Sequence, residues 1–600
     1  MSIPRPEHPR PRLHRERWRS LNGRWRLRID DHVDPDAPPP DAALFDREIV
    51  VPFPPESSLS GIGDPGFHPS LWYHRTLTLP DGWQGLRTLL HVGACDYRAS
   101  VFLDGRLVGE HVGGSAPFSV DLTGLMEPGR QHDLIIHAID QIRSRRQPSG
   151  KQSREAHSYG CYYTRVSGIW QTVWLEGVHP LGLDDLRVLP DLAGGRAVLV
   201  PAFLDHAAGA RLRVTARSGE ATARVEAPAS SGVPIDLPLA DPRPWSPADP
   251  FLHELDLEVI APSGQVVDRV ASYLGLREVR IEGDRVLLNG EPLYQRLVLD
   301  QGYWPDGIWT APDDAALVRD IEIAREAGFN GARLHQKAFE PRYHWHADRL
   351  GWLTWAEMPS WGIDENDPVA GRALLAEWAE LVARDRNHPS ILVWTPLNET
   401  EDRVVGPEHR RLVRDAATLT RALDPGRPVN DASGWVHQDT DLWTVHLYTQ
   451  DPDALARALA PGHVHRHRPD LETYRGQPVL VDEFGGARWP PGEDAQDEAW
   501  GYGTAPEDEG AFHARLEGLV GAVLDAPHVR GYCYTQLTDV EQEINGLYRA
   551  DRTPKFDVAR LRSVFSRDPA RAPEDGDAHD GTPRHQAAAS SRSGDVRGGD

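Results

Sequence analysis

Hydrophobic and polar residues alternate with a period of two in many short segments of the first third of the chain. Residues 72–79 (WYHRTLTL) and 99–103 (ASVFL) show this alternation, which is typical of half-buried β-strands. The second segment ends at the dipeptide Asp104-Gly105, which favours a hairpin turn, and another apolar segment follows it. Many short strands separated by turns predict a jelly-roll sandwich over residues 1–180.

The strand-like pattern continues for roughly a hundred more residues. Residues 197–200 (AVLV) and 255–259 (LDLEV) are examples, and turn residues again separate the short segments. A stretch of this length with this pattern predicts an Ig-like β-sandwich over residues 181–276.

The period of the hydrophobic pattern changes after about residue 280. Residues 313–327 (DDAALVRDIEIAREA) carry apolar residues at helical spacing, with Asp313 as the N-cap and Gly328 at the end. Strand and helix candidates then alternate, which predicts a (β/α)8 barrel over residues 277–566, although the helices after the fifth and sixth strands are the least clear. The eight predicted strands are residues 293–299, 330–335, 352–357, 391–398, 429–433, 443–448, 479–483 and 532–536. The chain is therefore predicted to be a multidomain β plus α/β protein.

The composition of the chain limits the classes of molecule that it is expected to bind. The formal net charge of −25 argues against nucleic acid and anionic membranes as partners, and 19 Trp residues favour carbohydrate, because sugar clefts use flat aromatic faces. Cys95, Cys161 and Cys533 are too far apart in sequence to suggest a disulfide framework or a metal site. The N-terminus lacks the apolar core of a signal peptide, so a cytoplasmic location is expected. Residues 567–600 are rich in small, polar and charged residues and are predicted to be a disordered tail.

Two glutamates carry the chemistry of the chain. Glu399 ends the run ILVWTPLNE, and Glu483 ends the run PVLVDE, so each follows a predicted barrel strand. The carboxyl ends of parallel barrel strands meet at one mouth, where catalytic groups sit. Two facing carboxylates there are the groups that glycoside hydrolysis requires, one as acid and base and the other as nucleophile. Asn398 beside Glu399 offers an amide to a sugar hydroxyl.

Several motifs around these glutamates resemble glycoside hydrolase family 2, which contains β-galactosidases, β-glucuronidases and β-mannosidases. The acid/base signature of that family resembles Asn387-His388-Pro389-Ser390 followed by Trp394 and Asn398-Glu399, and its nucleophile signature resembles Glu483-Phe484-Gly485-Gly486. The motifs of its N-terminal jelly roll resemble residues 18–25 (WRSLNGRW), 51–54 (VPFP) and 167–171 (SGIWQ). The resemblance covers about residues 10–566 and implies a retaining mechanism.

The resemblance also implies neighbours for the two carboxylates. Arg333 and Tyr448 resemble an arginine and a tyrosine that hydrogen-bond the nucleophile. His335 and His446 lie two residues away from these positions and face the same mouth by their place in the strands, each with a structural role as the alternative. Glu357 follows the third strand, and it either binds sugar hydroxyls or pairs with Arg333.

Departures from the family pattern affect the choice of sugar. The loop after the first strand carries Asp300 and Trp304 where histidine is usual, so Asp300 is expected to bind hydroxyls and Trp304 to form a wall of the site. Tyr162 replaces an aspartate of the jelly-roll loop, and Tyr534 or Gln536 stands near a common tryptophan platform.

The loop of residues 539–543 (DVEQE), which includes Glu543, is acidic, and the Asn-x-Lys motif with which glucuronidases of this family bind the sugar carboxylate is missing. An acidic lip without a lysine is expected to repel a uronate. The sequence therefore predicts an exo-acting retaining β-glycosidase for neutral sugars, with β-galactosidase as the first expectation. A β-glucuronidase, β-mannosidase or arabinosidase of the same family and, more remotely, a non-catalytic carbohydrate-binding protein are the alternatives. No cofactor and no metal are expected, and the oligomeric state is left open.

Overall fold

The computed structural model describes residues 3–401, 403–466, 471–489 and 499–570. The predicted tail therefore lies, from residue 571 onward, outside the described residues. Within the described part, no helix combines the length and apolar character needed to cross a membrane. The fold consists of the predicted jelly roll, Ig-like sandwich and (β/α)8 barrel, in that order along the chain.

The first unit is a sandwich of two antiparallel sheets around an apolar core. The six-stranded sheet has the order β3-β2-β4-β10-β7-β8, the four-stranded sheet has the order β1-β12-β5-β9, and β6 and β11 form a short separate pair. Alternate side chains of both sheets, such as Leu27, Leu90 and Ile136, fill the space between the two layers. The strands are β1 (Trp18–Ser20), β2 (Gly23–Asp30), β3 (Arg47–Val51), β4 (Ser70–Thr78), β5 (Arg87–Val92), β6 (Cys95–Asp96), β7 (Arg98–Leu103), β8 (Arg106–Val112), β9 (Phe118–Asp121), β10 (Gln131–Ile139), β11 (Gly168–Ile169) and β12 (Val173–Val178).

The second unit is a smaller sandwich with a three-stranded sheet, β13-β14-β17, and a four-stranded sheet, β16-β15-β18-β19. Buried and exposed positions alternate along β15 and β14, which is the period-2 pattern that the sequence shows. Its strands are β13 (Leu183–Asp191), β14 (Arg196–Phe203), β15 (Arg211–Ser218), β16 (Ala221–Pro228), β17 (Ile235–Pro238), β18 (His253–Ile260) and β19 (Val266–Leu274).

A three-stranded meander precedes the barrel, whose parallel strands are buried along almost their whole length. Such strands are covered by helices outside and by each other inside, so they read as apolar runs. The meander is β20 (Val279–Glu282), β21 (Arg285–Leu288) and β22 (Glu291–Pro292). The barrel elements are β23 (Gln295–Asp300), α1 (Asp314–Glu326), β24 (Gly331–Leu334), α2 (Pro341–Leu350), β25 (Leu353–Glu357), α3 (Pro368–Asp385), β26 (Ile391–Thr395), α4 (Pro407–Leu423), β27 (Trp443–Leu447), α5 (Pro452–Leu459), α6 (Pro461–Val464), β28 (Val479–Gly485), α7 (Glu509–Leu524), β29 (Val529–Thr535) and α8 (Val558–Phe565).

The predicted fifth strand is reduced to isolated bridges. Seven strands form one parallel sheet in the order β26-β25-β24-β23-β29-β28-β27, and residues 429–433 lie alongside β26. Val429 bridges Trp394 and Ser433 bridges Asn398, both in the parallel sense. Residues 434–442, all described, contain no helix, so this segment returns directly to β27. Backbone hydrogen bonds such as Asn430 to Trp394 hold this segment, and the side chains of Asn430 and Asp431 accept further bonds from Thr444 and His437.

A loop of the jelly roll lies against the mouth of the barrel. The backbone amides of Ser149 and Gly150 donate to the carbonyl oxygen of Trp361, at 2.7 and 3.1 Å, in the loop after β25. Trp361 is therefore held from both sides, because its indole Nε1 also donates to the carbonyl oxygen of Asn398 at 2.9 Å. The barrel mouth is consequently completed by residues from the first unit.

Candidate active site

Glu399 and Glu483 face each other at the carboxyl ends of the barrel strands. Glu483 lies within β28, and Glu399 follows β26 in a left-handed backbone conformation with φ of +40°. The amide of Glu399 donates to the carbonyl oxygen of Ser433 at 2.9 Å, so the fifth segment holds this turn in place. An oxygen of each carboxylate and the Nδ1 atom of His446 all lie within 4.8 Å of one another. The sequence predicted this pairing from the two strand ends.

His446 on β27 bridges the two glutamates. Its Nδ1 atom lies 2.5 Å from Glu399 Oε1 and 3.3 Å from Glu483 Oε2, while its Nε2 atom lies 3.3 Å from Asp482 Oδ1. Burial by itself would lower the pKa of His446, but Glu483, Asp482 and Glu399 together raise it to about 10. The ring is thus an imidazolium at neutral pH and donates from both nitrogens.

Arg333 at the end of β24 fixes the orientation of Glu483. Its Nη1 atom donates to Glu483 Oε1 at 2.8 Å, its Nε atom donates to Glu357 Oε2 at 2.8 Å, and its Nη2 atom donates to Asn398 Oδ1. Burial favours the neutral acid, but His446 and Arg333 hold the pKa of Glu483 below its ordinary value. This carboxylate is therefore ionised and ready to act as a nucleophile.

Tyr448 donates a hydrogen bond to the second carboxylate oxygen of the nucleophile Glu483. Its hydroxyl donates to Glu483 Oε2 at 2.5 Å, and its ring stacks on Tyr502 with centroids 3.4 Å apart. Burial, followed by the charge of Glu483, raises the pKa of Tyr448 well above its ordinary value, so the phenol remains a donor. Each oxygen of Glu483 thus has a dedicated donor, which is the arrangement predicted for Arg333 and Tyr448.

The neighbouring polar residues divide between structural support and free donors. Glu357 pairs with Arg333 and also accepts from the amide of Gln336 at 2.9 Å, which favours the pairing alternative over sugar binding. His335 lies with Nδ1 3.2 Å from Glu357 Oε1, and burial lowers its pKa well below the usual value. Asn398 uses its oxygen on Arg333 and leaves its buried Nδ2 without a partner among the described residues, so this amide is available to a substrate hydroxyl.

The comparisons with known proteins agree with this geometry. Residues 279–487 match the family model described as "Glycosyl hydrolases family 2, TIM barrel domain", and residues 197–277 match the one described as "Glycosyl hydrolases family 2". The chain belongs to glycoside hydrolase family 2.

Relatives within the family carry two different activities in their names. A "Beta-glucuronidase" of Paenibacillus borealis is 27% identical over 521 residues, which cover 80% of this chain and 84% of that protein. A "Beta-galactosidase 2" of Enterobacter cloacae is 25% identical, and the match covers 91% of this chain but only 56% of that protein. The solved structure of the Ruminococcus gnavus b-glucuronidase in complex with D-glucuronic acid has a TM-score of 0.77 at 18% identity and covers 94% of this chain and 100% of that chain.

Asp300 and Trp304, which the sequence placed in the sugar site of this family 2 enzyme, have their closest polar contacts with other residues. The side chain of Asp300 accepts from the amide of Gly302, and burial followed by Asp320 raises its pKa to about 7. Trp304 lies under the ammonium of Lys337, 4.7 Å from its ring centroid, in the apolar layer between barrel and helices. These contacts do not involve the two glutamates, and hydroxyl binding by Asp300 and a sugar wall at Trp304 stay predictions.

The end of the eighth strand forms a chain of amides. Gln536 donates to Asn545 Oδ1 at 2.7 Å and accepts from Gln301 at 2.8 Å, and Asn545 donates to Glu543 Oε1 at 2.9 Å. Tyr534 instead packs on Phe484 behind the sheet. Gln536 and Glu543 are therefore linked through Asn545, and their contact with the sugar stays a prediction.

The acidic loop is less charged than its sequence suggests. Asp539 Oδ1 accepts from the ammonium of Lys555 at 2.5 Å, Glu541 accepts from the amide of Thr164, and Glu543 accepts from the hydroxyl of Tyr163. The premise that no cation offsets this loop was wrong, because Lys555 lies outside the loop in sequence and reaches back to it.

Sequence reasoning missed the residues that other loops contribute. Trp361, Trp435, Tyr502 and Asp482 surround the glutamates, and Lys151 enters from the jelly roll. Strand-end position could have indicated Asp482, which precedes Glu483. Trp361, Trp435, Tyr502 and Lys151 lie on loops, and no motif or spacing in the sequence indicates that these loops reach the site.

Among the described residues, the group with donor atoms close enough to hold a metal ion is Glu399, His446 and Glu483. A protonated imidazole has no lone pair for a metal, so an ion would have to displace the proton that the three carboxylates hold on His446. The prediction that no metal is required stays a prediction.

Proposed function

We propose that this family 2 glycosidase removes terminal non-reducing sugars from β-glycosides with retention of configuration, with Glu483 as nucleophile and Glu399 as acid/base. The observation that supports this proposal is the separation of the two carboxylates, whose nearest oxygens lie within 4.8 Å. Retaining enzymes place the two carboxyl groups about 5–5.5 Å apart, whereas inverting enzymes leave roughly 6.5–9.5 Å for a water molecule.

The reaction has two displacements. In the first, Glu483 forms a bond to the anomeric carbon while the glycosidic C–O bond breaks, and Glu399 gives its proton to the leaving oxygen. In the second, Glu399 takes a proton from water, whose oxygen attacks the same carbon and releases Glu483. His446 lies between the two carboxylates, so the proton on its Nδ1 can stabilise whichever of them carries the charge at each stage.

The sugar is proposed to be β-D-glucuronic acid. The Paenibacillus borealis relative is named a β-glucuronidase, and its match covers 80% of this chain and 84% of that protein. The pairing of Asp539 with Lys555 removes part of the charge on which the neutral-sugar expectation rested. A β-galactoside is the second candidate, and the Enterobacter cloacae relative supports it.

The test is a panel of 4-nitrophenyl glycosides that contains the β-glucuronide, β-galactoside, β-glucoside, β-mannoside and α-arabinoside. We expect the highest kcat/KM for the glucuronide and a β-configured product in the first NMR spectra. A 2-fluoro glycoside of the preferred sugar should label one peptide covalently, and Glu483→Ala should be inactive on every substrate. A label on another residue would contradict the assignment of the nucleophile, and no turnover of any glycoside would favour the non-catalytic alternative.

A further inference from the structure

The chain contains three lysines, Lys151, Lys337 and Lys555, among 65 basic residues that are otherwise arginine. Two of them have evident partners. Lys337 donates to the carbonyl oxygens of Gly302 and Trp309, and Lys555 pairs with Asp539. Lys151 differs, because within the described residues its ammonium makes no hydrogen bond and has no carboxylate within ion-pair distance, although only 7% of the residue is exposed.

Lys151 is held at the barrel mouth by its backbone. The preceding Gly150 donates to the carbonyl oxygens of Pro359 and Trp361 at 3.0 and 3.1 Å, and the carbonyl oxygen of Lys151 accepts from the amide of Tyr163 at 2.8 Å. Gly150 has φ of +56°, and a Cβ atom there would lie 2.2 Å from the carbonyl oxygen of Gln336. Only glycine allows this close approach, so the position of Lys151 is set by the contact between the two units.

The surroundings of the ammonium keep it charged. It lies 5.7 Å from the ring centroid of Trp361 and 5.8 Å from that of Tyr163. Burial by itself would lower the pKa of Lys151, but Glu543 first, and then Cys161, Glu483 and Glu399, raise it above the ordinary value. These acids act from beyond hydrogen-bonding distance, so the ammonium stays charged while its three N–H donors have no acceptor among the described residues and are available to a bound anion.

The nearby acids are already occupied by other donors. Glu483 accepts from Arg333 and Tyr448, and Glu543 accepts from Tyr163 and Asn545. The two rings beside the ammonium both contact the mouth, because Trp361 donates to the carbonyl oxygen of Asn398 and Tyr163 donates to Glu543, so the ammonium lies beside the site without touching the nucleophile. In a uronic acid the carboxylate at C5 lies across the ring oxygen from the anomeric carbon and therefore extends away from the nucleophile.

We infer that Lys151, from the jelly roll, is the specificity residue that binds the carboxylate of the sugar in the site next to Glu483. This inference rests on the glucuronide specificity proposed above. It explains how a chain without the Asn-x-Lys motif of the barrel accepts a uronate, since the cation comes from a different unit. Lys151 does not take part in bond breaking.

The experiment compares two substrates that differ only at C6, 4-nitrophenyl β-D-glucuronide and 4-nitrophenyl β-D-glucoside. For Lys151→Met we expect kcat/KM on the glucuronide to fall about 10- to 100-fold, the size of one lost charge-assisted hydrogen bond, mainly through KM. Activity on the glucoside should change less than about 3-fold, within the usual effect of a neutral replacement. Lys151→Arg should restore part of the glucuronide preference, because it keeps the charge with altered geometry.

Arg154, a half-exposed cation three residues along the same loop, provides the matched control. Arg154→Met removes the same charge from the chain and should leave the ratio of the two activities unchanged. If Lys151→Met lowers both activities equally, Lys151 acts on the nucleophile and the inference is overturned. If the variant is poorly folded, the ratio measured with Lys151→Gln decides in the same way.

The wild-type enzyme separates this inference from the proposed function. A wild type that prefers the glucuronide, with a Lys151→Met variant that keeps the preference, overturns the role of Lys151 alone. A wild type that prefers the glucoside or galactoside overturns the proposed glucuronide specificity, and the role of Lys151 falls with it.

Discussion

Replacing Arg333 by methionine should move the acidic limb of the pH–rate profile to higher pH. Arg333 is fully buried and contacts Glu483 at 2.8 Å, so it is one of the charges that keep the pKa of this carboxyl below its ordinary value. Activity requires the ionised nucleophile and therefore rises with pH through its pKa. Removing a cation at this distance raises that pKa, and we expect the limb to move upward by about 1–3 pH units.

The same substitution should destabilise the fold. Glu357 and Glu483 both contact the guanidinium and are almost inaccessible to solvent, so Arg333→Met leaves two buried carboxylates without their common cation. Breaking a buried ion pair by removing one partner costs about 3–5 kcal/mol. Part of this cost should be recovered when Glu357 takes up a proton, so the loss should be larger at neutral than at acidic pH.

The assay is kcat/KM for an activated aryl glycoside across the acidic and neutral range, together with urea unfolding at two pH values. Arg333→Lys keeps the charge but can donate to fewer of the three acceptors on Glu357, Glu483 and Asn398. The acidic limb of its pH–rate profile should therefore move less, while its kcat falls. Arg530→Met is the matched control, because Arg530 pairs with Asp284 at the opposite end of the barrel. An acidic limb that stays in place in Arg333→Met would refute the electrostatic reasoning.

Three further outcomes are expected. Glu399→Gln should lower kcat about 10²–10⁴-fold on substrates with poor leaving groups and less on activated aryl glycosides, and added azide should restore turnover with a glycosyl azide product; equal losses without rescue would count against its role as acid. Tyr448→Phe should lower kcat/KM by about 10- to 100-fold, because the nucleophile loses a short charged hydrogen bond, and circular dichroism should show an unchanged fold. Glu176 is buried, and although burial raises its pKa, His91 and nearby arginines lower it to about 2. Its contribution of about 3 kcal/mol should be present above pH 4.5 and should be lost as the pH falls towards 2, so Glu176→Gln should flatten the acid dependence of urea unfolding.

The period of the hydrophobic pattern was sufficient for the architecture. The change from a period of two to helical spacing near residue 280 separates the sandwiches from the barrel, and α1 begins beside the predicted cap Asp313. The predicted fifth strand at residues 429–433 lies beside β26, but the sequence did not indicate that its backbone pairing would be limited to isolated bridges.

Position along a strand was a good guide only where the strand itself carries the side chain into the mouth. His446 was found in this way, whereas Arg333 and Tyr448 were identified from the resemblance to the family. Asp300 ends β23 and was expected in the mouth because histidine is usual in this loop of the family, yet its charged neighbours include Asp320 of α1 and Lys337. One residue of register decides which face a strand residue takes, and a sequence without relatives aligned to it does not specify that register.

The acidic loop and Lys151 show why charge along the chain differs from charge in the site. Asp539 and Glu543 are close in sequence, but one is neutralised by Lys555 and the other accepts hydrogen bonds from Tyr163 and Asn545. Lys151 is almost four hundred residues away from them in sequence, yet the charge of Glu543 raises its pKa.

Electrostatic preference for a substrate depends on which charges remain unpaired in the folded protein, not on how many lie in one loop. The acids around the mouth accept hydrogen bonds from donors of their own, whereas the ammonium of Lys151 has no acceptor among the described residues. The charge that a sugar meets in this site is therefore set by contacts between the jelly roll and the barrel, and a change at that contact should alter sugar preference without any change in the two catalytic glutamates.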